Sequence, residues 1–166
     1  MPYDDTTPPA GPGRVAVWHA GPMTTPEARD TLRHIDLTKI GAGRYKATNR
    51  RGGVLPVGSG DDPDFTPVEL LLAALAGCSA IDVDLITGKR ATATTFEVSA
   101  EGDKVRDEQG NHLTNLRITL DVRFPEGEDG DRAREVLPRS IAQSRDRLCT
   151  VGRTVQLGSP IEYVEA

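Results

Sequence analysis

The stretch TPVELLLAALAGCSAIDV, Thr66 to Val83, has no charged residue between Leu70 and Ile81 and carries Cys78, one of only two cysteines in the chain. Thr66 suits a helix N-cap and Pro67 the first helical position. Gly88, followed by Lys89 and Arg90, suits the helix end. The pattern predicts a helix over about 67–86, apolar on every side. Such a helix is buried all round. A chain of 166 residues has difficulty enclosing five helical turns by itself. A partner covering one face is the simpler solution, so a homodimer with this helix near its interface is expected.

The flanks read as strands and shorter helices. Residues 1–13 are rich in Pro, Gly, Thr and Asp and are expected to be a disordered tail. Residues 14–42 form an N-terminal extension, with a short strand at Arg14–Ala20 and a brief helix ending near Leu32 or His34. That helix opens on Thr24, Pro26 and Glu27. From Gly43 to Gly58 two strand segments flank a turn near Arg50–Gly53. Phe96, Val98 and Ala100 alternate with polar neighbours, as do Ile118, Leu120, Val122 and Phe124. This period of two marks half-buried strands, with Asp107–Asn111 as the hairpin turn. Val136, Leu137, Ile141 and Leu148 fit one helical stripe, which Pro138 should kink or divide. The chain is expected to close with a helix end, a turn and a last strand. The order is α+β, without alternating βα units.

The totals exclude several functions. A net charge of -5 and an aromatic content of 4% offer neither the electrostatics nor the stacking surface for nucleic acid. The longest uninterrupted apolar run, Leu70 to Ala76, is far shorter than the roughly 20 residues of a membrane span. The opening MPYDDTTPPAGPG lacks the basic and apolar segments of a signal peptide. A cytoplasmic protein is therefore expected, without nucleic-acid or membrane partners. In that compartment cysteines are more often catalytic or redox-active than structural.

The chemistry turns on few residues. Cys78 and Cys149 are 71 positions apart, with no CxxC or HxxxH pattern to hold zinc. His19, His34 and His112 are scattered, so a Cys–His nucleophile for acyl transfer has no local support. Composition alone favours reading Cys78 as an inert buried thiol, since apolar surroundings raise a thiol's pKa; a reagent would need activation by a cation. Arg50 and Arg51 in the first hairpin are the candidate cations, because a guanidinium stays charged anywhere. Glu69 lies about 2.5 turns before Cys78 on the opposite side of the same helix. It either complements the helix dipole or reaches a partner's thiol. Asp82 shares the face of Cys78 and opposes its thiolate unless paired or turned away.

The Thr66–Val83 stretch, with the second cysteine in CTVGRTV (Cys149–Val155), resembles the OsmC/Ohr family of osmotically inducible and organic hydroperoxide resistance proteins. The likeness covers roughly Gly43 to Val164 and is strongest to the OsmC-like branch, so residues 43–166 are taken as an OsmC-like domain. It implies an intertwined α+β homodimer, with antiparallel sheets packed around a buried central helix and the sites at the interface. It further implies a thiol peroxidase that reduces organic hydroperoxides and is recycled by a dithiol reductant, without metal or other cofactor. Cys78 would be peroxidatic and Cys149 resolving, with Arg51, or its neighbour Arg50, in the family's arginine position. The family's glutamate position is occupied here by Val68, with Glu69 beside it. That departure leaves a second expectation: a non-enzymatic dimer binding an apolar small molecule or sensing redox state.

Overall fold

Asn49 organises the first turn. Its Oδ1 accepts the backbone N–H groups of Arg51 and Gly53 at 2.9 and 3.0 Å, closing the link between β2 (Arg44–Asn49) and β3 (Val54–Val57). These two strands pair antiparallel, Tyr45 opposite Val57. The computed structural model describes residues 31–165, and the unit formed by Asp36–Ala166 is the one treated below. The tail to residue 13, the strand at 14–20 and the start of the following helix lie outside the described residues. That helix ends at Thr31, slightly earlier than expected. A further strand, β1 (Ile35–Gly41), joins the sheet in the order β1-β2-β3. The sequence reading left this segment in the N-terminal extension. Its apolar residues Ile35, Leu37 and Ile40 are all exposed, so no burial pattern distinguishes it.

Helix α1 (Pro67–Thr87) follows the expected limits closely. Thr66 Oγ1 accepts the Glu69 N–H, while the Glu69 carboxylate accepts the Thr66 N–H at 2.7 Å, a reciprocal capping box. Upstream, Arg44 ties the first sheet to the loop before α1, its Nη2 lying 2.8 Å from Asp64 Oδ2. By length and apolarity the 21-residue helix would suffice to cross a membrane, which the short uninterrupted run of leucines and alanines did not suggest. Here one side of it packs against protein.

That side meets β4 (Thr95–Asp107), α2 (Glu128–Gln143) and α3 (Thr150–Leu157). Strand β4 pairs antiparallel with β5 (Gly110–Arg123), matching Val98 with Leu120 and Ala100 with Ile118. These four are half-buried while their strand neighbours, Asp121 apart, are exposed, the expected alternation. Helix α2 starts at Gly127 with three acids in its first turn, favourable at the positive end of the helix dipole. Gly130 is required there, because a Cβ would fall on the Pro125 carbonyl oxygen.

Three expectations are corrected. Pro138 neither ends nor divides α2, which runs through it to Gln143 and then widens into a π-helical turn at Ser144–Leu148. The wider turn alters the rotation per residue, so Leu148 leaves the buried stripe and is 48% exposed. The buried stripe instead consists of small residues, Gly130, Ala133, Ser140 and Ser144, which let helix backbones approach closely. Finally, no last strand forms among the described residues: after the left-handed cap at Gly158, residues 159–165 have no regular structure. A strand needs a neighbour to receive its backbone hydrogen bonds, and among the described residues this segment has none.

The fold is therefore α+β with antiparallel sheets, and its central helix is buried on one face only. Leu75, Ser79, Val83 and Thr87 point inward. Leu71, Ala74, Ile81 and Leu85 are exposed, Ile81 by 62%. With half-buried Cys78 between them they repeat every three and four residues along one side. Replacing Thr66→Ala should lower stability by about 1 kcal/mol in urea unfolding, whereas Thr66→Ser should retain most of it.

Candidate functional site

Cys78 stands midway along α1, on the edge between its packed and uncovered sides, and is half-buried. Cys149 follows the π-helical turn and serves as the N-cap of α3. Because α2, the π-turn and α3 all pack on α1, the fold brings the second thiol over the middle of the long helix. Both cysteines are free thiols. The two sulfurs and the Asp82 carboxylate lie within 4.8 Å of one another.

Cys149 is 1% exposed and supplied with donors. Its Sγ accepts the Gly152 backbone N–H at 3.2 Å, and Ser79 Oγ donates to it at 3.7 Å. Gly152 suits this approach, since a Cβ there would sit only 3.2 Å from the same sulfur. The next N–H along, that of Val151, donates to Cys78. Both sulfurs thus sit at the start of α3, where backbone N–H groups have no helical partners.

Burial pushes the Cys78 thiol above its ordinary value. The Val151 N–H opposes that rise, while Cys149 and the Asp82 charge add to it. Among the described residues, no guanidinium acts on this sulfur. Asp82 is oriented by Ser144, whose Oγ donates to Oδ2 at 2.9 Å. It is not turned away: among the described residues the site gathers three potential anions and offers them hydrogen-bond donors, with no ion pair to Asp82.

The other candidates are placed elsewhere. Glu69 is held by its own cap, with both the N–H and the hydroxyl of Thr66 donating to Oε2. The Thr66 N–H, then its hydroxyl, holds the carboxyl below its ordinary range. Arg50 and Arg51 occupy the exposed β2–β3 turn, and within the chain the first sheet does not bring them to Cys78. His112 lies beside Asp107 in the far hairpin, and no histidine among the described residues acts on Cys78. The sequence reading missed Ser79, Ser144, Val151 and Gly152. Ser79 stands next to Cys78, and Val151 and Gly152 follow Cys149 within the quoted CTVGRTV stretch, so their positions offered a signal; Ser144 reaches Asp82 through tertiary packing.

An apolar cavity of about 340 Å³ adjoins the pair. Leu72, Leu75, Val83, Leu120 and Ile141 are among its apolar lining, Ser79, Ser144 and Cys149 face it from the thiol side, and Glu101, Arg117, Arg145 and Gln156 add charged and polar groups. The cavity reaches Cys149 but not Cys78, which is approached from the uncovered side of α1.

Comparison with known proteins places this arrangement. Residues 58–164 match the family model described as OsmC-like protein. Uncharacterised proteins of Mycobacterium tuberculosis and Mycobacterium bovis are 32% identical over 127 residues, spanning 74% of this chain and 88% of theirs. Among solved structures, an OsmC-like protein from Mycoplasma pneumoniae superposes with a TM-score of 0.60 at 16% identity, covering 76% of this chain and 89% of that one. A hypothetical protein from Aquifex aeolicus gives 0.61 at 18% identity, covering 77% and 89%. The fold agrees, and the family match extends from the end of the first sheet to the last described residues. The chain belongs to the OsmC/Ohr family.

Proposed function

We propose that the protein is a thiol-dependent peroxidase that reduces organic hydroperoxides through Cys78 and Cys149. One observation carries the reading: two free thiols from segments 71 residues apart in sequence lie within 4.8 Å, a separation that modest side-chain rotation converts into a disulfide. Their exposures suit different roles. Half-buried Cys78 is the one a peroxide can reach, and buried Cys149 waits behind it.

In this scheme the Cys78 thiolate attacks the O–O bond, and the alkoxide leaves and takes a proton to become the alcohol. Cys78 is then a sulfenic acid. The Cys149 thiolate attacks the sulfenic sulfur, a sulfur–sulfur bond forms, and hydroxide leaves as water after protonation. The Gly152 N–H and the Ser79 hydroxyl hold that second sulfur in place. An external dithiol reopens the disulfide by exchange, itself becoming oxidised. A reducing compartment such as the cytoplasm supplies it.

The raised Cys78 thiol requires a counter-charge, and we assign it to a second copy of the chain. The apolar stripe of α1 is uncovered, and Ile35, Leu37, Val54, Ile161 and Val164 are exposed as well, more apolar surface than one chain leaves to water without cause. A dimer would cover the stripe and carry the partner's first hairpin, with its Arg51 or Arg50 position, towards Cys78. The same partner would wall the route by which an apolar peroxide reaches the sulfur.

A second reading rests on the cavity ending at Cys149. A dimer that binds an apolar molecule there, its thiols inert or redox-sensing, would need no activated Cys78. Bound ligand recovered by native mass spectrometry, together with thiols unreactive at neutral pH, would select it.

Reduced protein should consume cumene hydroperoxide catalytically in the presence of a dithiol, and Cys78→Ser should abolish turnover. Cys149→Ser should still form one sulfenic acid per chain but no intramolecular disulfide. A wild type that leaves the hydroperoxide untouched sinks the peroxidase. Ile81→Glu should convert the dimer to monomer in sedimentation velocity. In that monomer, Cys78 alkylation should have a midpoint above the ordinary thiol value of about 8.5, against a midpoint below that value in the wild-type dimer. In the dimer, Arg51→Ala should move the midpoint back upward. An unchanged midpoint in both Arg51→Ala and Arg50→Ala refutes the guanidinium assignment.

A further inference from the structure

Asp82 has no part in the peroxidase chemistry, yet it lies with both sulfurs and is oriented towards the site by a hydrogen bond from Ser144. Cys78 and Asp82 are one helical turn apart on the most regular element of the fold, so their separation is rigidly set. Cys149 is held opposite by α3. We propose that the reduced protein binds a thiophilic divalent metal ion, of the zinc and cadmium class, through Cys78 Sγ, Cys149 Sγ and an Asp82 carboxylate oxygen.

The donor set and spacing both fit. Thiolates about 2.3 Å from a tetrahedral ion stand about 3.8 Å apart, inside the 4.8 Å that contains all three donor atoms. Two sulfurs select soft ions over magnesium or calcium. Three protein donors leave one tetrahedral position for water, the pattern of an open zinc site. Ser144 supplies the outer hydrogen bond that orients a ligating carboxylate. The three groups that repel one another in the ion-free chain become mutually compatible around a dication, which takes up the thiolates as the thiol protons pass to solvent. No local sequence motif announces the site, because one of its ligands arrives from another element.

A bound ion would occupy both sulfurs and hold the protein out of peroxide chemistry until it leaves, a consequence that rests on the peroxidase reading. The metal site itself does not rest on it.

The test is titration of the fully reduced, full-length protein with Cd²⁺, following thiolate-to-cadmium charge-transfer absorption, and then displacement by Zn²⁺. One equivalent per chain should saturate the band, and millimolar Mg²⁺ should leave it unchanged. Asp82→Asn should weaken binding at least ten-fold, and Ser144→Ala about ten-fold. Wild type oxidised to the disulfide should lack the band and regain it on reduction, a control that needs no substitution. Absence of the band in reduced protein overturns the proposal, as does Cd²⁺ affinity in Asp82→Asn equal to wild type. A protein that binds cadmium in this way yet ignores hydroperoxide would retain the metal site and lose the peroxidase; an active peroxidase without the band would do the reverse.

Discussion

The close packing of α1 against α2, the π-helical turn and α3 sets everything that happens at the thiols. Small side chains make it possible. Ala133, Ser140 and Ser144 on one side and Ser79 on the other keep little bulk between the elements. Their hydroxyls are not left idle: Ser140 donates to the Leu137 carbonyl, Ser144 to Asp82 and Ser79 to Cys149. Val83 and Ala133 are fully buried in this region. Larger residues in the seam would move Cys149 away from Cys78, and a separation of a few ångströms decides between a disulfide-forming pair and two unrelated thiols.

The same helix carries an electrostatic problem that the chain does not solve alone. Burial and the neighbouring Asp82 charge disfavour a thiolate at Cys78, and a single backbone N–H works the other way. A cation would settle the balance, and the two proposals name different sources: a guanidinium from a second chain, or a metal ion taken up by the site itself. They would belong to different states of one protein, since an ion bound by both sulfurs excludes attack on a peroxide. On the dimer proposal, assembly would bury the uncovered apolar stripe along α1 and carry the guanidinium towards Cys78 in the same event.

Glu69 illustrates how a plausible site residue is claimed by local structure. Its carboxylate is engaged twice by Thr66 in the capping box, and freeing it would leave the first turn of α1 without its cap. Val68 beside it is apolar and partly exposed. Among the described residues Asp82 is the acid grouped with the two thiols, so this carboxylate enters one turn after Cys78 instead of from the start of the helix.

Much of this was readable in the residues. Thr66, Pro67 and Gly88 delimit α1 because capping and proline geometry are local, and the alternation of Val98, Ala100, Ile118 and Leu120 marks β4 and β5 because strand periodicity is local too. The OsmC/Ohr likeness was legible in the stretch around Cys78 for the same reason: it is written in consecutive residues. What needed the tertiary structure was every relation across elements. The strand β1 shows no burial pattern, Leu148 loses its place to a π-helical turn, and the segment after Gly158 forms no strand among the described residues. The convergence of Cys78, Asp82 and Cys149 with Ser144 and the Gly152 N–H depends on helix packing, whose distances no sequence spacing encodes.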